Sequence, residues 1–186
     1  MATRILGING SIRLHSSADR ALRFVLRSLE VRGAVCETFD IGSLPLLDGR
    51  PDDEYPASVE AWRVACYKAD AIVIAAPSYH GALPGSLKNA LDFIDVPQVG
   101  GKPFAVVGIS AGDAEPVVTD VARVMRHVGG IAAVLDIVVS HAPDQWGKGD
   151  EPASPILASQ VEHMVEALID LCKLRAAGEL PHAWRH

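Results

Sequence analysis

Short apolar runs alternate with segments of helical period along nearly the whole chain, and that alternation admits few folds. Arg4–Asn9 reads as a first strand. Ser17–Arg32 follows as a helix, because Ala18, Ala21, Leu22, Val25, Leu26 and Leu29 fall on one face. Gly33 ends that helix and Ala34–Phe39 returns as a second strand. The pattern continues with a helix over Ala57–Lys68, a strand over Ala69–Ala76, a helix over Ser86–Asp95 and a strand over Pro103–Ser110. A helix over Glu115–Val128, broken by Gly129-Gly130, precedes a fifth strand over Ile131–Val139 and a long helix over Ser154–Ala177. Strands joined by helical crossovers run parallel and are covered on both faces. The expected fold class is therefore α/β: a doubly wound, five-stranded parallel sheet in the order 2-1-3-4-5, with its switch point between strands one and three.

At 186 residues the chain suits one domain, expected over residues 1–178, with a loosely held tail over 179–186. A formal net charge of −6 argues against a broad nucleic-acid surface but leaves room for a local anion site. Cys36, Cys66 and Cys172 are widely spaced and share no motif with histidine, so no metal site is expected and the thiols read as reduced, inert core residues. The first residues enter a strand without a signal-peptide layout, and no run reaches the roughly 18 apolar residues of a membrane span. A soluble, cytoplasmic protein is the expectation.

The unusual loops are the two that would meet at the switch point. Gly10-Ser-Ile-Arg-Leu-His-Ser-Ser17 opens a helix, whose first N–H groups lack partners and carry partial positive charge. Ser11, Ser16 and Ser17 add hydroxyl donors there, and Arg13 adds a guanidinium that can fork two phosphate oxygens. The pattern describes a phosphate cradle, although a plain serine cap beside a solvated arginine would read the same way. It is not a Walker loop, and no GxGxxG occurs anywhere in the chain. Pro77–Gly85 leaves a buried strand carrying Tyr79, His80 and several small residues, a set suited to a flat ligand edge. A third candidate, Ser110-Ala-Gly-Asp113, ends strand four, where Ser110 or Asp113 can alternatively cap a helix. Asp40–Pro56 and Ser140–Ala153 are long Pro/Gly/Asp-rich connections expected to rim the pocket. The remaining histidines form no ligand pattern, and no serine sits in a nucleophile elbow.

Three motifs, in order, resemble the NAD(P)H-dependent FMN reductase family, which is flavodoxin-like. Gly10, Ser11, Arg13 and Ser16 match the family's GSxRxxSxN loop, while Ala18 stands at the family's asparagine, so that contact is either missing or taken over by Ser17. Pro77, Tyr79 and Gly81 match the family's P-x-Y-N-G, with His80 at the asparagine. Leu83–Asp92 resembles the PG-x-LKN-x-x-D run, in which Ser86 would cap a helix and Lys88, Asn89 and Asp92 would serve helix-start bonds and subunit contacts. The resemblance implies that Ser11, Arg13, Ser16 and Ser17 hold the FMN phosphate. Pro77, Ser78, Tyr79, His80 and Gly81 would then lie beside the isoalloxazine, and Ser110, Ala111, Gly112 and Asp113 along its pyrimidine edge. No side chain is expected to be catalytic, because flavin N5 carries the hydride.

The same resemblance implies NADPH or NADH as co-substrate, ping-pong turnover, and a second acceptor. That acceptor would be free FMN, a quinone, an azo compound or a metal oxyanion. A flavin-dependent monooxygenase would be a natural partner, and a homodimer or homotetramer the expected assembly. Two other classes fit the same residues: a one-electron carrier like a flavodoxin, and a flavin-sensing module without turnover.

Overall fold

A computed structural model describes residues 2–13, 15–133, 135–146 and 149–180. The elements are β1 (Arg4–Asn9), α1 (Ser17–Val31), β2 (Val35–Phe39), α2 (Ala57–Lys68), β3 (Ala71–Pro77), α3 (Gly85–Leu91) and α4 (Val96–Val99). They continue with β4 (Pro103–Ile109), α5 (Glu115–His127), β5 (Ile131–Ala132), β6 (Ile137–Val139), α6 (Ala142–Trp146) and α7 (Pro155–Ala176). All strand pairs are parallel, in the order β2-β1-β3-β4-β5, with β6 also on β4.

The central strands explain the order. Every residue of β4 is buried, and in β3 only Pro77 is half-buried, so both must be covered above and below. Successive side chains point to opposite faces of a strand, and the core divides accordingly. Ile5, Val73, Ala75, Val107 and Val139 pack with α1, α6 and α7. Leu6, Ile8, Ile72, Ile74, Phe104 and Val106 pack with α2, α3 and α5. Gly108 marks the tightest approach: a Cβ there would lie 2.4 Å from Val118 and 2.9 Å from the Ala114 carbonyl of the following helix. Cys66 and Cys172 lie one in each layer, and burial raises both thiols, Cys172 to about 11. Burial likewise pushes Cys36 up to about 12, so all three are poor nucleophiles.

The structure corrects three expectations. The fifth strand is two pieces, β5 and β6, both on the same edge of β4. Where the chain detours between them, the Asp136 carboxylate accepts the Val106 N–H at 3.0 Å and replaces the missing ladder partner. Burial raises the Asp136 carboxyl above its usual range. The helix expected over Ser86–Asp95 ends at Leu91, and a second short helix starts after Asp95. Asp95 caps it and Gln98 answers with a bond to the Asp95 N–H at 2.9 Å, a capping box that suits Pro97 in the first turn. Ser140–Ala153, expected as irregular loop, contains α6, whose Trp146 is fully buried beside Phe24. The expected tail beyond residue 180 lies outside the described residues. No helix of the described residues is long and apolar enough to cross a membrane.

At the opposite edge of the sheet from the loops of interest, Lys102 is only 5 % exposed. Its ammonium donates to the carbonyls of Cys66 and Tyr67, each at 2.6 Å, and so closes the carbonyl end of α2. Burial outweighs this help and, with nearby Arg175, pulls the Lys102 pKa down to about 8. Below pH 8 folded and unfolded chains both hold the proton, and the cost of burying the charge is borne in full. Above about pH 8 the folded chain releases the proton that the unfolded chain, with a pKa of about 10.4, still holds. The contribution of this group to stability therefore rises from about pH 8 to 10. Urea unfolding across that range should show a rise in wild type that Lys102→Met lacks; equal pH slopes in the two proteins would contradict the assignment.

Candidate functional site

The carboxyl ends of β1, β3 and β4 deliver three loops to one edge of the sheet, and backbone bonds register them against one another. Gly10 N–H donates to Ala75 O at 2.8 Å, Ser78 N–H to Ile109 O at 2.8 Å, and Ser110 N–H to Val139 O at 3.1 Å. Each loop thus begins tied to the last turn of ladder on the next strand. The structure brings all three predicted groups to this edge.

In the first loop the hydroxyls are spoken for by the backbone. Asn9 Oδ1 accepts Ser11 N–H, Ser11 Oγ accepts Arg13 N–H, and Ser16 Oγ accepts Asp19 N–H, each at 3.1 Å. Ser16 is the N-cap of α1, and both Ser11 and Ser16 are buried. Their hydroxyl hydrogens remain free to donate. Arg13 is exposed and makes no ion pair among the described residues. Ser17 is half-buried, and its Oγ accepts from the Arg20 guanidinium at 3.1 Å. Leu14 lies outside the described residues. His15 adopts a left-handed backbone, φ 53°. A cavity of about 460 Å³ opens here, lined by Ser11, Arg13, His15 and, across from them, Asp40 and Gly42. The connection after β2 therefore does rim this end.

The second loop is a tight two-residue turn. Tyr79 and Ala82 exchange backbone bonds of 3.0 and 3.2 Å, while His80 (φ 54°) and Gly81 (φ 78°) both take left-handed backbones at the tip. Two consecutive positive φ values define the hairpin turn that glycine and asparagine normally fill, which is why an Asn-to-His change is tolerated here only because histidine is among the residues that enter this region. The N–H groups of His80 and Gly81 make no hydrogen bond within the described residues, so the tip offers two adjacent donors. Tyr79 is half-exposed, His80 and Gly81 are exposed, and Pro77 and Ser78 are half-buried behind them.

The third loop is braced by the segment after β6. Ser110 Oγ accepts Gly112 N–H at 3.0 Å, and Asp113 Oδ1 accepts Glu115 N–H at 3.0 Å, although the N-cap of α5 is Ala114, which makes no side-chain cap bond. His141 N–H donates to Gly112 O and Ala142 N–H to Ser110 O. Ser140 Oγ accepts Ala114 N–H at 3.0 Å. Ala111, Gly112 and Asp113 are exposed, and a Cβ on Gly112 would meet only Ser110 Oγ, at 3.9 Å.

The Leu83–Asp92 run works differently from its expected role. Ser86 lies inside α3 rather than capping it; Pro84 precedes the helix without a side-chain cap. Ser86 Oγ instead reaches Gly10 O at 3.5 Å. Asn89 is not spent on the helix start: its amide donates to Pro45 O at 2.8 Å and accepts Leu47 N–H at 2.9 Å, strapping the connection after β2 onto α3. Lys88 pairs with Asp92 one turn on. Residues not picked out from sequence also belong here: Asn9, Arg20, Ser140 and His141. Arg20 alone carried a legible signal, since a cation in the first turn of a helix opposes the helix dipole.

Chemically, the edge presents amide and hydroxyl donors and unpaired guanidinium rather than a nucleophile with its base. Among the described residues no group of three or more His, Cys, Asp or Glu could hold a metal ion.

Comparison with known proteins agrees with this geometry. The family model described as NADPH-dependent FMN reductase matches residues 3–143. A 2-hydroxy-1,4-benzoquinone reductase from a Burkholderia species is 36% identical over 155 residues, covering 81% of each chain. An NAD(P)H-dependent FMN reductase of Pseudomonas aeruginosa is 33% identical over 148 residues, covering 76% of this chain and 75% of its own. In structure, the Paracoccus denitrificans flavoenzyme NAD(P)H:(acceptor) oxidoreductase superposes with a TM-score of 0.80 at 23% identity, over 92% of this chain and 98% of that one. The matched span contains all three loops and the strands that register them, and the chain belongs to the NADPH-dependent FMN reductase family.

Proposed function

We propose that the protein binds FMN across the three loops and uses it to pass two electrons from NAD(P)H to a small acceptor of the quinone class. The observation that carries this reading is the pair of N–H groups at the His80–Gly81 tip that make no hydrogen bond within the described residues, delivered by β3 to the same end of the sheet as the Gly112 loop of neighbouring β4. When bound, FMN supplies the hydride-accepting and hydride-donating chemistry that none of these side chains has. The residues fit the group. Amides at a rigid turn can stabilise negative charge on a flavin edge without titrating themselves. Gly112 leaves space for a ring edge. Arg13, exposed and unpaired beside the N-terminus of α1, is placed for a phosphate dianion, with Ser11, Ser16 and Ser17 adding donors.

In this reading the chain's own work is positional. Ser78 and Pro77 fix the turn against β4, and Tyr79, half-exposed, forms a wall at its base. Ser110 Oγ holds the Gly112 N–H in the neighbouring loop, where exposed Ala111 and Asp113 flank it. Nicotinamide and acceptor would use the same open face in turn, which gives ping-pong kinetics. A homo-oligomer is part of the proposal, built over the groove of about 670 Å³ between α3 and α5, whose walls carry Leu91, Ile94 and Val124 among Lys88, Asp92 and Arg123. Reduced FMN released to a monooxygenase is the alternative fate of the electrons.

Desalted protein should oxidise NADPH only when FMN is restored, with saturation in FMN and acceleration by a 1,4-benzoquinone. Protein that binds FMN but oxidises neither NADPH nor NADH would contradict the oxidoreductase reading and favour a carrier or sensor. Two variants address the two ends of the site. Arg13→Ala should weaken FMN binding by about 1.5–3 kcal/mol, the scale of a charge-assisted hydrogen bond, and leave riboflavin binding unchanged. Gly112→Val, which has room to fold, should lose both flavins; unaltered affinities by fluorescence titration would remove these residues from the site.

A further inference from the structure

The end of α7 leads the chain toward a cavity on the other face of the sheet. Gly178 takes a left-handed backbone (φ 75°), and the N–H groups of Gly178 and Glu179 donate to Arg175 O and Leu174 O at 3.0 and 2.9 Å. This closes the helix and turns the chain off its axis. Arg175 lies 3.7 Å from Asp70 and near the Lys102 ammonium, which sits 5.5 Å from the centre of the Tyr67 ring. The carboxyl ends of α7 and α2 therefore share one corner of the sheet. Leu180, the last described residue, is half-buried, so the chain is still against the protein at that point.

A cavity of about 600 Å³ opens between α2 and α4, with Tyr67 in its lining. Tyr67 and Glu60 line it from one face of α2, and Phe93 and Pro97 add to its apolar wall. Tyr67 leaves 67 % of its surface exposed, an open ring that another apolar group can cover. The charges lining the cavity are three carboxylates, Asp52, Glu60 and Asp95, against the single guanidinium of Arg63. That guanidinium is committed: it donates to Phe93 O and to Asp52 Oδ1, each at 3.0 Å. Asp95 caps α4. Glu60 makes no ion pair or side-chain hydrogen bond among the described residues. An occupant carrying an aromatic ring beside a cation is complementary to both features.

Residues 181–186 read Pro-His-Ala-Trp-Arg-His and hold such a pair in Trp184 and Arg185. We propose that the α2–α4 cavity is the docking site of the chain's own residues 181–186, with the Trp184 ring against Tyr67 and the Arg185 guanidinium on Glu60. The reach suffices. Four residues from Leu180 to Trp184 span up to about 13 Å when extended, and the two turns of α2 from Tyr67 to Glu60 cover about 10 Å. The aromatic contact supplies most of the buried area, and the ion pair, exposed on one side, sets the register. Residues 181–186 lie beyond the span matched by the family model, 3–143, and their docking is independent of flavin binding.

Tryptophan fluorescence of the full chain tests the docking, because Trp62 and Trp146 are fully buried and Trp184 is the third of three tryptophans. Acrylamide quenching is compared in wild type, Glu60→Lys and Tyr67→Ser, each with and without Trp184→Phe. Glu60 and Tyr67 are exposed, so neither substitution opens the core. Wild type should quench no more steeply than Trp184→Phe. Each cavity variant should gain a readily quenched component that Trp184→Phe removes. Such a component already present in wild type and unchanged in both cavity variants would overturn the docking, and so would a Trp184 that stays protected in both. Protection lost on dilution would place the segment in the cavity of a second copy and overturn its assignment to its own chain.

Discussion

Three backbone hydrogen bonds along the carboxyl edge of the sheet, from Gly10 to Ala75, Ser78 to Ile109 and Ser110 to Val139, hold the rest of the site in place. Each continues the parallel ladder one step beyond its strand and hands the loop to the neighbouring strand before it turns away. In a parallel sheet every crossover returns to the same edge, so the loops that carry polar residues collect there. What a parallel sheet does not guarantee is their relative height and spacing. Those bonds set both, and side chains then stiffen each loop separately: Asn9 and Ser11 the first, the paired Tyr79 and Ala82 backbones the second, Ser140 and Asp113 the third. The result is three braced loops that present amide and hydroxyl donors at one end of the sheet, an arrangement suited to a ligand that brings its own reactive chemistry.

The electrostatics of α1 give the frame a direction. Its first turns carry Arg13 just outside, then Arg20 and Arg23, at the end of a helix where positive charge is unfavourable. Asp19 and Asp150 answer Arg23, but Arg13 and Arg20 have no carboxylate among the described residues. A net charge of −6 over the chain makes this local excess of cation stand out. Such an arrangement costs stability in the free protein, and a bound anion would offset that cost. The same reasoning distinguishes the loops: cations and hydroxyls near α1, uncharged amides at the His80–Gly81 tip.

Much of this could be read from residue order. The buried strands appear as apolar runs, the parallel sheet follows from the β/α alternation, its order matches the flavodoxin-like pattern of five strands and five helices, and the loops at the switch point stand out because Ser, Gly, Arg and His replace apolar residues there. The breaks were harder. Val-Leu-Asp-Ile-Val-Val reads as one strand because a single aspartate does not announce that its carboxylate replaces a ladder partner, as Asp136 does for Val106. The end of α3 was legible in principle, since Asp95 and Gln98 flank a proline at capping-box spacing. Asn89 and His141 were not legible, because what they do depends on chain segments brought together by the fold: Asn89 on Pro45 and Leu47, His141 on Gly112. The left-handed backbone at His80 also escapes sequence reading, since histidine takes that region far less often than the glycine beside it.

The most direct measurement is a crystal structure of the chain with FMN bound. The account predicts one flavin whose ring lies between the Tyr79–Gly81 turn and Gly112, with a ring heteroatom accepting from the His80 or Gly81 N–H, and whose phosphate lies at the α1 end. A flavin seated anywhere else, or one whose ring and phosphate ends are exchanged, would contradict it.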